Sequence, residues 1–315
     1  MTKVAIIGSG FIGRAWAITF ARAGFEVALA DQAEGAPEAA LSYIEGVLPD
    51  LAANDLLAGS SPDEVRARLS AAPSYAAAMD GAAHVQENAP EDLAIKKALY
   101  AELDRLAPRD AVLASSTSAI LPSLFSEHLE GRHRVCVCHP INPPYLVPAV
   151  EVVPAPWTDA ATMARAATLM RDAGQAPIVM KKELDGFVMN RMQGALLEEA
   201  FRLVADGYAS VEDIDVGIRE GLALRWSFMG PFETIDLNAP GGVADYVARY
   251  QKIYEQISPS QWHRVDWAGD VLDTVLAERR ARLPESELQA RQVWRDRRLM
   301  ALAAHKRKAD SDIGA

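Results

Sequence analysis

A chain of 315 residues, half of them apolar and 24% charged, has the length of two domains and the composition of a folded globular protein. With 32 Lys+Arg against 43 Asp+Glu, the net charge is −11, and such a surface repels phosphate backbones and anionic membranes. No nucleic-acid or membrane partner is expected, and an anionic substrate has to be captured by a few placed cations.

Val4-Ala5-Ile6-Ile7 is a β-branched run that stops at a glycine cluster, and residues 12–23 follow with helical spacing of apolar side chains. Gly24 closes that helix, and residues 25–30 read as the next strand, ending at Asp31. Residues 36–69 look helical, with interruptions near Pro49 and at Gly59-Ser60-Ser61-Pro62. Short strands follow at residues 84–87, 111–115 and 134–138, with helical stretches at 92–106 and 121–129 between them. This alternation predicts a Rossmann-type, doubly wound α/β sheet, parallel and covered on both faces. After Ile178-Val179-Met180 the texture changes to amphipathic helices at residues 187–206, 211–221, 241–257 and 267–282, then a basic helix from 286 to about 308. The expected division is an α/β domain over residues 1–185 and an all-helical domain over 186–315, with a frayed polar tail at 306–315.

The apolar run at the start breaks at Gly8, and no apolar stretch reaches the ~18 residues of a membrane span, so neither a signal peptide nor a span is expected. Cys136 and Cys138 are too few for a zinc site and sit poorly for a disulfide. They read as small buried hydrophobes in a reducing, cytoplasmic compartment, and no metal is expected.

Gly8-Ser9-Gly10-Phe11-Ile12-Gly13 is G-x-G-x-x-G between a strand and a helix, with an acid, Asp31, ending the second strand. Gly8 permits the tight turn and Gly10 lets the backbone approach a pyrophosphate. Gly13 lets helix and strand pack closely, while the helix N-terminus around Phe11 and Ile12 faces the phosphates. Asp31 accepts from the adenosine ribose hydroxyls and repels a 2′-phosphate; Gln32 and Ala33 follow it, with no arginine to offset that. The cofactor is therefore read as NAD, not NADP. A turn that serves packing alone, or an FAD site, is the lesser alternative.

His139, in Cys138-His139-Pro140-Ile141-Asn142-Pro143-Pro144, stands at a strand end, the edge where open α/β sheets bind ligands. Glu151 lies among valines in the next strand-like run, a costly place for a carboxylate unless it is paired. Pairing it with His139 satisfies both groups and fixes the imidazole tautomer, giving a general base for alcohol oxidation. Ser118, in Ser115-Ser116-Thr117-Ser118, and Asn190, which opens the first helix of the second half, are candidates to hold the reacting oxygen. Taken singly, each has a plainer reading: His139 as a capped loop histidine, Glu151 as an edge-strand solvent contact, Ser118 as a helix cap and Asn190 as a helix-start contact.

Through G-x-G-x-x-G, S-S-T-S, H-P-x-N-P-P, G-F-V-x-N-R and M-G-P-F-E, the whole chain resembles the L-3-hydroxyacyl-CoA dehydrogenase superfamily. Within it, Gln86-Glu87 through Pro90-Glu91-Asp92-Leu93, His139-Pro140 through Tyr145, and Trp294-Arg295-Asp296 resemble the lambda-crystallin, or L-gulonate 3-dehydrogenase, branch. The resemblance implies a His–Glu dyad at His139 and Glu151, with Ser118 and Asn190 as polar partners. It also implies cofactor contacts from Glu91 and Lys96, which on their own read as an i,i+5 surface pair, and a homodimer built through the helical domain.

Two segments bear on the substrate. The stretch 45–70, where acyl-CoA enzymes of the superfamily carry lysines, has five acids and only Arg66 and Arg68 as cations, a poor match for CoA phosphates. Arg225, in Leu224-Arg225-Trp226-Ser227-Phe228-Met229-Gly230, suits a free carboxylate, although it also reads as a helix-end cation. Asn142, Ser118, Asn190 and Arg225 are the expected substrate contacts. The expectation is oxidation of the 3-hydroxyl of a small, L-gulonate-like 3-hydroxy acid. L-Carnitine, whose ammonium suits Trp226, and short-chain 3-hydroxyacyl-CoA are the enzymatic alternatives, and a crystallin-like structural or NADH-binding protein is the non-enzymatic one.

Overall fold

The computed structural model describes residues 1–314 and divides into two compact units, Met1–Met189 with Asp296–His305, and Asn190–Arg295 with the chain from Lys306 onward. The strands of the first unit are β1 (Lys3–Ile7), β2 (Glu26–Ala30), β3 (Leu69–Ala71), β4 (His84–Glu87), β5 (Val112–Ser115), β6 (Val135–Pro140), β7 (Ala149–Pro154) and β8 (Ala176–Val179). They form one sheet in the order β3-β2-β1-β4-β5-β6-β7-β8. The chain leaves β1 for one side and returns to β4 on the other, so a crevice opens past the carboxyl ends of β1 and β4, the usual ligand position in such sheets.

Strand alternation sends successive side chains to opposite faces, and both faces are covered. Val4 and Ile6 pack with Trp16 and Phe20 of α1 (Phe11–Arg22), Ile44 of α2 (Ala36–Ala53) and Met170 of α7 (Ala160–Asp172). Ala5 and Ile7 pack with Met79 of α4 (Tyr75–Met79), Tyr100 and Leu103 of α5 (Leu93–Leu106) and Phe125 of α6 (Pro122–Ser126). Cys136 and Cys138 are free and buried on the first of these faces. The neighbouring Cys136, together with burial, holds the Cys138 thiol well above its ordinary pKa.

The sheet departs from the expected parallel pattern at one place. β7 runs antiparallel to β6, and β8 pairs parallel with β7. The connection over residues 141–148 is too short for the crossover that parallel strands require, so the chain returns as a hairpin. Two further differences come from burial overriding local signals. Pro49 sits inside α2 without ending it, because Ile44, Leu48 and Leu51 anchor both of its flanks. Leu69, read as the end of the helical stretch, instead opens β3, which pairs parallel beside β2 after the short, boxed helix α3 (Pro62–Ala67).

The second unit holds α8 (Met189–Ala205), α9 (Val211–Val216), α10 (Ala223–Trp226), α11 (Pro231–Leu237), α12 (Gly242–Ile257) and α13 (Asp270–Arg282), with no strand among the described residues. Residues 217–222 make a wider π-type turn between α9 and α10. The tail is not frayed as expected: α14 (Leu288–Ile313) continues through it, helped by a Lys308–Asp312 pair one turn apart, while Ala315 lies outside the described residues. Met300 of α14 is buried in the core of the first unit.

Candidate active site

The three glycines at the β1–α1 turn do three different jobs. Gly8 has φ +89°, and a Cβ there would lie 2.9 Å from the Asn88 carbonyl, so turn and close approach both require glycine. A Cβ on Gly13 would lie 1.9 Å from the Gly8 oxygen and 3.2 Å from Ile6 Cγ2, so this position sets helix–strand packing. A Cβ on Gly10 would meet nothing within 4 Å. The chain's own packing does not demand glycine there; its absent side chain keeps space open beside a helix start that no side chain caps. The uncapped N–H groups and the open cradle fit a pyrophosphate. Phe11, 50% exposed, and Ile12 flank it.

Asp31 sits beside this turn but is not a free carboxylate. Its Oδ2 accepts from Ser9 N–H (2.6 Å) and Ser9 Oγ–H (2.9 Å), and its Oδ1 from Ala33 N–H (3.0 Å). Burial would raise its pKa, but the bonds from Ala33 and Ser9 outweigh burial and hold it below the ordinary value, so the charge persists. The carboxylate foreseen as the ribose contact is therefore already steadied by Ser9. Sequence reading passed over that serine as a variable position in the glycine motif.

At the end of β4, Glu87 is buried and accepts from Ala89 N–H (2.6 Å), Lys96 Nζ (2.9 Å to Oε1) and Ser115 Oγ–H (2.5 Å). Lys96, foreseen at the cofactor, is 1% exposed with its ammonium on Glu87; its distance to Glu91 Oε2 is 3.9 Å. The i,i+5 surface-pair reading is corrected accordingly: this lysine neutralises a buried acid. Glu91 caps the loop after β5, its Oε1 accepting from Thr117 Oγ–H (2.5 Å), Ser118 N–H (2.9 Å) and Ala119 N–H (3.0 Å). Ser118 is exposed on that loop, at the same edge of the sheet as the glycine turn.

His139 and Glu151 are direct partners across the β6–β7 hairpin. Nδ1 of His139 lies 2.8 Å from Glu151 Oε2, with Glu151 0% and His139 6% exposed. The other oxygen, Oε1, accepts from the backbone N–H groups of Val188 (2.7 Å) and Met189 (2.8 Å). Burial would raise the Glu151 pKa, but the His139 bond and those two N–H donors outweigh it and hold the carboxyl below its ordinary value. An ionised Glu151 accepts only, so Nδ1 carries the proton and Nε2 is the basic nitrogen. Phe187 packs its ring 5.7 Å from the imidazole and holds φ +50°, a strained setting that follows Gly186 and turns the next two N–H groups onto Glu151. Sequence reading placed Phe187 at a helix start and within G-F-V-x-N-R, with no role of its own.

Asn142 Oδ1 is buried and has no hydrogen-bond partner among the described residues, which makes it an acceptor in want of a hydroxyl or N–H donor. The two arginines of the 45–70 stretch are both committed: Arg66 pairs with Glu45 (2.5 Å), and Arg68 donates to the Ala21 carbonyl (2.9 Å) and Ser60 Oγ (3.0 Å). Asn190 and Arg225 belong to the second unit, Asn190 in the first turn of α8 and Arg225 in α10, beside Trp226 at 40% exposure.

Comparison with known proteins gives these features a context. Residues 3–184 match the family model of the 3-hydroxyacyl-CoA dehydrogenase NAD binding domain, and residues 186–282 match the C-terminal domain of the same family. The chain is 40% identical over 306 residues to a lambda-crystallin homolog of Rattus norvegicus, covering 96% of each. It is 41% identical over 243 residues to an L-carnitine dehydrogenase of Streptomyces coelicolor, covering 77% of this chain and 75% of the relative. The solved structure of an NAD⁺-dependent 5-formyl-3-hydroxy-2-methylpyridine 4-carboxylic acid 5-dehydrogenase is similar with a TM-score of 0.81 and 29% identity, covering 96% of this chain and 97% of that one.

Proposed function

The chain belongs to the 3-hydroxyacyl-CoA dehydrogenase family, an NAD-dependent oxidoreductase of that type, and from this premise we propose that it oxidises the 3-hydroxyl of a small, L-gulonate-like 3-hydroxy acid. The observation that carries the reading is the 2.8 Å bond between His139 Nδ1 and a buried, ionised Glu151. With Nδ1 committed to Glu151, Nε2 takes the 3-hydroxyl proton as the C–H bond at that carbon breaks. Bound NAD⁺ supplies the acceptor for the hydride. Glu151 stabilises the imidazolium that forms, and its fixed geometry means that no reorganisation is needed at that moment.

Ser118 and Asn190 are assigned to the reacting oxygen, Asn142 to a further hydroxyl, and Arg225 to the carboxylate. Gly8, Gly10, Phe11, Ile12, Gly13, Asp31, Glu91 and Lys96 are assigned to the dinucleotide. A free acid is favoured over a CoA thioester because both arginines of the 45–70 stretch already have protein partners. L-Carnitine is a second reading, supported by the exposed Trp226 beside Arg225 and by the similarity to L-carnitine dehydrogenases. The second unit is assigned to homodimer formation: Phe228 is 71% exposed, and Leu224, Phe232 and Trp262 are also exposed.

NADH formation with L-gulonate, L-3-hydroxybutyrate and L-carnitine, and NADH consumption with acetoacetyl-CoA, test the reading side by side. The free hydroxy acids should give the higher kcat/KM. A clear preference for acetoacetyl-CoA overturns the free-acid assignment, and no turnover with any of them favours a structural or NADH-binding role.

A further inference from the structure

On the sheet face covered by α1, a chain of polar side chains crosses three strands. His84 Nε2 lies 2.9 Å from Gln86 Oε1, and Gln86 Nε2 donates to Ser116 Oγ (2.7 Å) and to the Cys138 carbonyl (3.1 Å). Ser116 Oγ donates to Asn88 Oδ1 (2.7 Å) and accepts from Trp16 Nε1 (3.0 Å), while Asn88 Nδ2 donates to the main-chain carbonyl of Gln86 (2.9 Å).

The directions in this chain are forced. A backbone carbonyl only accepts, so the NH₂ of Gln86 faces Cys138 and its oxygen faces His84. His84 must then carry its proton on Nε2, which leaves Nδ1 bare, and Nδ1 is the buried atom of that ring without a partner. Burial pushes His84 down to about pKa 4, so the ring stays neutral and the arrangement does not invert near neutrality.

Gln86 reaches β6 by passing over β5. In register it stands beside Ala114, and Ala114 beside Cys136, so only a methyl group lies under the carboxamide. The carbonyl at the far end belongs to the peptide unit that leads into His139. Turning that unit swings the Cα of His139 and with it the imidazole, which bonds Glu151 on the opposite face of the sheet.

We propose that Gln86 is a positioning residue: its carboxamide, laid across Ala114, pins the peptide ahead of His139 and ties it to the serine loop through Ser116. The proposal rests on the reading of His139 as the base. A misplacement of a base by a fraction of an ångström to an ångström lowers turnover without touching cofactor affinity. The Trp16–Ser116–Asn88 bonds persist without the Gln86 side chain, so the glycine turn keeps its support.

Gln86→Met keeps the length and removes the amide. The expected result is a kcat lower by about 10- to 100-fold, with the NADH Kd from fluorescence titration unchanged within about twofold. The downfield proton resonance of the His139 Nδ1–H on Glu151 should shift or broaden in parallel. If Gln86→Met does not fold, Gln86→Glu keeps the acceptor for His84, gives up the paired donors, and carries the same expectations. A folded variant with normal kcat and an unmoved resonance, whatever its Tm, overturns the proposal. His139→Gln separates the two readings: normal turnover there overturns the base itself, whereas a deep loss there beside a normal Gln86 variant overturns only the positioning role.

Discussion

The two units of this protein bury their side chains to different degrees. In the first, both sheet faces close over apolar clusters, and even charged groups such as Glu87, Lys96 and Glu151 are shut away with partners at hydrogen-bond distance. In the second, the helices form no comparable cluster among the described residues, and large apolar side chains of α10 to α12 stay exposed. A unit that completes its own core can spend buried polar groups on chemistry, because rigid packing holds them at defined distances. A unit with an open apolar surface offers that surface for association, the role proposed for it above.

The largest expected effect is on turnover and is confined to the first unit. His139→Gln should lower kcat by roughly 10²–10⁴, with NADH titration and Tm near the parent values; parental steady-state rates would remove this imidazole from the chemistry. Next comes Gly13→Ala, whose Cβ would fall 1.9 Å from a backbone oxygen. It should cost about 3 kcal/mol, the upper range for overpacking, and abolish NADH binding, as read by thermal melts and fluorescence. A melt within a degree of the parent would mean that α1 can move off β1 freely.

A smaller effect is expected in the second unit. Phe228→Asp should weaken the proposed self-association about tenfold, or ~1.4 kcal/mol, in sedimentation equilibrium while leaving NADH affinity intact; unchanged association would remove this surface from the proposed dimer. The smallest effect is a pH dependence. Asp31 and Glu151 both titrate below their ordinary values of 3.8 and 4.5. Their contribution to stability is complete above about pH 4.5 and drains away as pH falls through the lowered values. Glu151→Gln should flatten the acid limb of a denaturation-versus-pH curve, and an identical limb would show that this carboxyl is not held as described.

Much of the first unit could be read from the residues because its signals are local. The β1 run, the glycine turn and Asp31 lie within one βαβ unit, and each glycine constrains its own backbone. The pairing of His139 with Glu151 was inferred from the cost of a carboxylate among valines, a burial argument that needs no coordinates. What stayed hidden depends on contacts between distant segments. Ser9 on Asp31, Gln86 on the Cys138 carbonyl and Lys96 on Glu87 are satisfied across the fold, and nothing in the spacing of those residues announces a partner. The reversal at β7 was legible in principle from the short connection before it, but strand periodicity does not encode direction.

The antiparallel return of β7 has a consequence for how this enzyme tolerates change. Because His139 and Glu151 sit opposite one another on a hairpin ladder, their meeting depends on strand register and not on the length of the turn that joins them. Residues gained or lost in the turn leave the couple intact. A slip of the β6–β7 register by one residue would instead carry that carboxylate through the sheet to the far side and leave the imidazole without its counter-charge.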